Sequence, residues 1–214
     1  MPRRLSFVLL LFLGLAGQTR AHPHVYVDAE VGFDITASHL SSLHIVWTYD
    51  EFTTLTLFDI LDLDADGDGV LNEIDLAKVA AGETDWPPDY NGDVYLEADQ
   101  RPVELAKPTN ASAEMHGDRI AVRFDLPLNE PLDLSLGTAI LRLYDPTYYY
   151  ACTATGLRNP SPGEGPCRAS IVAFEADAAA AALQEQLAGL SREEMPEQAN
   201  VGRLFADEIV LTCN

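Results

Sequence analysis

Val25, Val27, Ala29, Val31, Phe33 and Ile35 take every second place between residues 22 and 35, with His24, Tyr26, Asp28, Glu30 and Asp34 among the positions between them. Period-two alternation marks a strand buried on one face. A strand is therefore expected here, with His22, His24, Tyr26 and Asp28 sharing its polar face. Residues 43–49 form a second strand-like run, the expected hairpin partner of the first across residues 36–42. Further strands are read at 94–98, 103–105, 120–126, 139–144, 171–174 and 209–211. In the third of these Ile120, Val122, Phe124 and Leu126 alternate with Arg119, Ala121, Arg123 and Asp125, so one face is wet. A helix is expected at about residues 177–190, where Leu183, Leu187 and Leu190 repeat at helical spacing. Residues 126–131 and 159–166 are rich in turn formers and read as connections, and 200–202 as another. The pattern predicts a mainly β (α+β) fold, an antiparallel β-sandwich-like domain of two packed sheets with one late helix outside.

Residues 51–82 break the strand pattern. At their centre, Asp64, Asp66 and Asp68 stand at positions 1, 3 and 5 of a twelve-residue stretch ending at Asp75. That is the spacing of an EF-hand calcium loop, in which side-chain oxygens come from those positions and a backbone carbonyl from position 7, here Val70. Gly69 sits at position 6, where the chain must turn sharply, and Asn72 at position 9, where a direct or water-mediated oxygen is needed. Leu71 is the apolar anchor of the loop. Ile60 and Leu63 are expected on one face of the entering helix, and Leu76, Val79 and Ala80 on one face of the leaving helix. Asp75 closes the cage in place of the usual Glu and is one methylene shorter, which predicts weaker calcium binding and some competence for magnesium. Asp89, Asn91 and Asp93 repeat the opening spacing, but Val94 and Gln100 fail where Gly and an acid are needed, so that stretch reads as a turn-rich connection.

Arg3 and Arg4 precede an apolar run from Leu5 to about Gly17, followed by a short polar tail to Ala21. This reads as a secretory signal peptide, residues 1–21, and residues 22–214 as a single domain. The run of about 13 residues is too short to cross a bilayer, which takes about 20, and no later segment spans either. Cleavage after Ala21 removes Arg3, Arg4 and Arg20 and no acid, so the formal charge of −21 becomes −24. Such a chain repels nucleic acid and anionic membranes and attracts cations. Cys152, Cys167 and Cys213 give one disulfide and one free thiol in an oxidising compartment. No nucleophile elbow, phosphate-binding glycine loop or catalytic zinc motif occurs, so no enzyme activity is expected. The aromatic run at 144–150 is expected to pack a sheet face. His44 and His116 lack neighbours at ligand spacing and His39 lies in an expected turn, so all three read as structural or surface residues.

The opening His22-Pro23-His24-Val25 after the leader, the string Trp47-Thr48-Tyr49-Asp50-Glu51-Phe52 with the acidic loop behind it, Tyr144-Asp145-Pro146-Thr147-Tyr148-Tyr149 and the closing Thr212-Cys213 together resemble the bacterial periplasmic family catalogued as domain of unknown function 1007. The resemblance covers the whole expected mature chain. It implies a periplasmic component of a transport system of the kind encoded beside nickel or cobalt permeases, with an inner-membrane metal permease as partner. It carries no catalytic residues. It also implies that Cys167 pairs with Cys213 and that Cys152 is extra.

His22 and His24 lie roughly 6.6 Å apart along an extended chain at about 3.3 Å per residue, within reach of one metal ion. Cleavage would free an α-amine as a third nitrogen. Pro23 has no amide proton to lose, which excludes a square site built on consecutive deprotonated amides. Amine and imidazoles, with Tyr26 or Asp28 as oxygen donors, suit Ni2+, Zn2+ or Cu2+ better than Ca2+. The reading is a calcium-binding accessory protein for divalent transition-metal (nickel, cobalt or zinc) transport. Its alternatives are a calcium-stabilised interaction module without a transition-metal role, and a copper redox enzyme using the N-terminal histidine.

Overall fold

The computed structural model describes residues 22–135, 137–158, 167–191 and 194–213. The expected leader at 1–21 and the expected connection at 159–166 lie outside the described residues. In chain order the elements are β1 (Val25–Thr36), β2 (His39–Tyr49), α1 (Glu51–Ile60), α2 (Glu73–Thr84), β3 (Val94–Ala98), β4 (Arg101–Pro102), β5 (Thr109–His116), β6 (Arg119–Asp133), β7 (Thr138–Leu143), β8 (Tyr150–Leu157), β9 (Cys167–Val172), α3 (Ala178–Ala188), a 3-10 helix (Val201–Phe205) and β10 (Glu208–Cys213). One sheet has the order β5-β6-β2-β1-β8 and the other β4-β3-β7-β10-β9.

Alternation along these strands sends every second side chain inward. Phe33, Ile45, Phe124 and Leu126 of the first sheet join Leu96, Leu141, Ile209 and Leu211 of the second in one core, each at most 2 % exposed. Burying a side chain of this size contributes about 1.5–3 kcal/mol, so this shared interior is the main force holding the fold. A second, smaller cluster packs α3 through Leu187 against Tyr148, Val201 and Phe205, with Leu183 and Leu190 beside it.

Several elements differ from their expected form. The first hairpin turns on Ala37 and Ser38 alone, and His39 is already in β2. Bulges between Asp34 and Ile35 and between Leu40 and Ser42 keep both Leu40 and Leu43 buried across this tighter turn. Residues 126–131 are not a connection. Strand β6 runs through them because Leu126 and Leu128 continue its inward alternation, and Pro127 and Pro131 lie beyond Asp125, where pairing with β5 has ended. At 103–105 there is no strand. The partner of β3 is Arg101–Pro102, and Leu105 makes an isolated bridge to Leu128. Ile60 ends α1 facing solvent, 69 % exposed, whereas Leu63 is buried beyond the helix.

The run at 144–149 is a turn instead of a sheet-packing strand. The Asp145 carboxylate accepts from the Thr147 and Tyr149 backbone N–H groups at 3.0 and 2.6 Å, and this local bonding replaces a ladder. Two strands have no counterpart among the expected ones. These are β5, exposed except for the half-buried Ala113, Glu114 and Met115, and β8, both at sheet edges. The β8 strand lies parallel to β1, with Val25 opposite Tyr150, so the first sheet is antiparallel except for that pair.

Cys167 and Cys213 stand opposite each other at the ends of β9 and β10 and form a disulfide, leaving Cys152 free among the described residues. With the partners 46 positions apart in sequence, loop-closure entropy puts the bridge at roughly 4 kcal/mol. Cys167→Ser with Cys213→Ser is expected to lose about that much in urea unfolding. Alkylation of the unreduced, denatured protein should then modify Cys152 only.

Candidate metal sites

The N-terminus of each helix in the helix-loop-helix is capped by a side chain. Asp50 caps α1 by accepting from the Thr53 N–H at 2.8 Å, and its other oxygen accepts from the Tyr26 N–H of β1, also at 2.8 Å. Asn72 caps α2, accepting from the Ile74 and Asp75 N–H groups, while Asp75 accepts in return from the Asn72 N–H at 3.2 Å. Leu71 is buried at the start of this cap, and Val79 and Ala80 are buried further along α2. Between the helices Gly69 has φ +81°, the left-handed region that glycine enters without strain. Its N–H donates to both Asp64 carboxylate oxygens at 3.1 and 3.2 Å, and the Val70 N–H donates to Asp68 at 2.8 Å.

These bonds fold the loop so that a carboxylate oxygen from each of Asp64, Asp66 and Asp68 lies within 4.8 Å of the others. Two unit charges at that spacing repel by about 1 kcal/mol in water, a cost that a divalent cation among them converts to attraction. The donor set is all oxygen, which fits a hard cation. Asp75 does not join the three. It is 4 % exposed, engaged in the α2 cap, with the Lys78 ammonium 3.9 Å from its free oxygen. Asn72 likewise directs its side-chain oxygen to the start of α2, and Val70 leaves its side chain 65 % exposed.

At the N-terminus, His22 and His24 precede β1 and are not on its ladder, joined through a cis His22–Pro23 bond. Their ring centroids are 5.0 Å apart, and the Tyr149 ring is 4.8 Å from His24 and 6.1 Å from His22. The His24 N–H donates to the Tyr149 carbonyl at 2.7 Å, which fixes the segment to the turn before β8. His22 is 4 % exposed and its Nδ1 is buried with no hydrogen-bond partner among the described residues. A cavity of about 530 Å³ beside it is also lined by Tyr26, Tyr148, Gln184 and Glu185. Tyr26 is thus near the histidines, and Asp28 is taken by Arg119, whose guanidinium lies 2.8 Å away. Glu185, on α3, is a carboxylate at this cavity that sequence spacing could not indicate.

Two further clusters escape any local motif. Asp93 is buried and accepts from the hydroxyls of Tyr90 at 2.7 Å, Tyr95 at 3.3 Å and Tyr150; burial raises its pKa and outweighs the lowering by these hydrogen bonds. This occupation removes Asp93 from any second cation loop with Asp89 and Asn91. His44 sits between Asp125, 2.5 Å from its Nδ1, and Asp34, 3.1 Å from its Nε2, and the Asn110 amide donates to the other Asp125 oxygen at 2.6 Å. Burial disfavours the charged ring, but the hydrogen bonds to Asp125 and Asp34 and their negative charges outweigh it, and the His44 pKa is raised.

Because the folded value lies above the unfolded one, this contribution to stability is full below about pH 6.5 and fades as the pH climbs through the folded value. Urea midpoints measured from about pH 6 to about pH 9 should fall for the wild type over that window. The fall should be shallower for His44→Gln, and parallel curves would remove the ion-pair assignment.

A protein of Haemophilus influenzae (strain ATCC 51907 / DSM 11121 / KW20 / Rd), described as an uncharacterized protein, is 24 % identical over 219 residues, covering 97 % of this chain and 98 % of its own. The pattern of the family described as "Protein of unknown function (DUF1007)" matches residues 7–213, and the chain belongs to that family.

Proposed function

We propose that the protein is a periplasmic calcium-binding accessory protein of a divalent transition-metal transport system, exported by cleavage after Ala21. The observation that carries this reading is the gathering of the Asp64, Asp66 and Asp68 carboxylates at positions 1, 3 and 5 of a capped loop. Those three and the Val70 carbonyl would hold Ca2+, with Asn72 reaching it through water. Asp75 would have to leave its place beside the Asn72 N–H to bind, and its short side chain favours a compact cage that also admits Mg2+. The His22 and His24 imidazoles would hold Ni2+, Zn2+ or Cu2+, with the freed α-amine as third nitrogen and Tyr26 or Glu185 as an oxygen donor. The permease partner and the transport role rest on the family resemblance.

A second reading is an interaction module that calcium merely stiffens. It is favoured by large apolar side chains exposed on the helix-loop-helix: Phe52 at 75 %, Leu55 at 66 % and Ile74 at 71 %. Phe52 and Leu55, three apart on α1, share a helix face, and an exposed apolar face of this kind can serve for docking.

Calcium at about 100 times its dissociation constant is expected to stabilise the mature protein by roughly 2.7 kcal/mol, and Asp64→Ala to abolish that gain. Superimposed melting curves with calcium and with chelator would rule out a calcium site. Titration of nickel, zinc and copper separates the two readings. Tight binding lost in His22→Ala/His24→Ala supports the transport reading, while equal affinity in the two proteins leaves the interaction module.

A further inference from the structure

Trp47 and Trp86, the two tryptophans of the chain, line one cavity of about 190 Å³. Tyr49, Tyr90 and Tyr150 add further aromatic wall, and Cys152 contributes the free thiol. Val25 and Val27 of β1 and Glu83, near the end of α2, complete the part of the lining that matters here.

Most of the polar groups at this cavity already have partners. The Tyr49 hydroxyl donates to Glu83, those of Tyr90 and Tyr150 donate to Asp93, and the Trp86 Nε1–H donates to the Glu83 carbonyl at 2.7 Å. Trp47 is different. It is 6 % exposed, and its indole nitrogen is buried with no hydrogen-bond partner among the described residues. Native interiors seldom leave such a donor unsatisfied without a reason.

We propose that this cavity binds a small uncharged molecule with a flat apolar body about the size of a benzene ring and one hydrogen-bond acceptor, which takes the Trp47 N–H. An apolar cavity of about 150 Å³ holds benzene, so this one has room for a ring and one small substituent. An anion is opposed by Glu83 in the wall and by the negative charge of the whole chain. A cation would find aromatic faces but would offer nothing to the indole N–H. None of Asp64, Asp66, Asp68, His22 and His24 lines this cavity.

Because both tryptophans line the cavity, intrinsic fluorescence reports its occupancy. Titration of the mature protein with benzyl alcohol should give a saturable change. Toluene, which has the ring without the acceptor, should bind about tenfold more weakly. Trp47→Phe keeps a ring and removes the donor, and should reverse the order in favour of toluene, because the benzyl alcohol hydroxyl would then be buried without a partner. Cys152→Leu fills the cavity and should remove the response to both. A linear, unsaturable response of the wild type would overturn the proposal, as would equal affinity for toluene and benzyl alcohol. Tighter binding of benzyltrimethylammonium than of benzyl alcohol would make the site an aromatic cage for a cation instead. If Trp47→Phe fails to fold, the comparison of toluene with benzyl alcohol on the wild type decides.

Discussion

Strand β1 is hydrogen-bonded along both edges, antiparallel to β2 and parallel to β8, and the placing of every other feature depends on that register. At its start Tyr26 exchanges bonds with Asp50, donating to the carboxylate that caps α1 and accepting from the Asp50 N–H at 3.0 Å. The helix-loop-helix is therefore attached to the sheet at a fixed angle. Two residues earlier, His24 is bonded to Tyr149, so the two histidines meet the turn that introduces β8. A slip of one position would expose Val27, Ala29, Val31 and Phe33 together, and the burial they lose makes the register strongly specified.

What could be read in the sequence follows from how far apart the deciding residues stand. Strands β1, β3, β7 and β10 betray themselves because inward and outward positions alternate within a few residues, and the acidic loop because its ligands lie within twelve. The edge strands β5 and β8 give no such signal. Thr109, Asn110 and Ser112 face water, and in β8 small residues such as Ala151, Ala154 and Gly156 blur the alternation. Edges built this way also discourage pairing with another chain. His44 looks isolated because Asp34 and Asp125 reach it only through the pairing of β1, β2 and β6. Asp93 reads in sequence as part of a failed cation loop because Tyr150, which occupies its carboxylate, comes from the sheet opposite the one that Asp93 leads into.

The acidic loop is held from outside itself. Leu71 on one side and Val79 on the other are part of the main core, so α2 and the last turn of the loop are positioned by the same packing that holds the sandwich. Lys78 ties the helix back to the approach of the loop by donating to the Asp62 carbonyl at 3.2 Å. The backbone bonds to Asp64 and Asp68 then orient two of the three carboxylates. Much of the ordering cost of a cation site is thus met by the fold, and the binding free energy of an ion need not be spent on it. Asp75 is the exception, since its place in the α2 cap competes with coordination.

The positive side chains are placed so that this loop is left without a cationic partner among the described residues. Arg119, Arg123, Arg142, Arg158 and Arg203 are paired with carboxylates of the sheets and their borders, and Lys78 with Asp75. Arg142 alone bridges Glu97 of β3 and Glu208 of β10, neutralising acids on either side of its own strand. With 13 basic residues against 34 acidic ones, cations are scarce, and the sheets hold most of those that form ion pairs. None of the ion pairs among the described residues involves Asp64, Asp66 or Asp68, so no cationic side chain offsets the three converging carboxylates. Asp66 and Asp68 are exposed and Asp64 half-buried, so water and salt screen their mutual repulsion and the cluster costs the fold little.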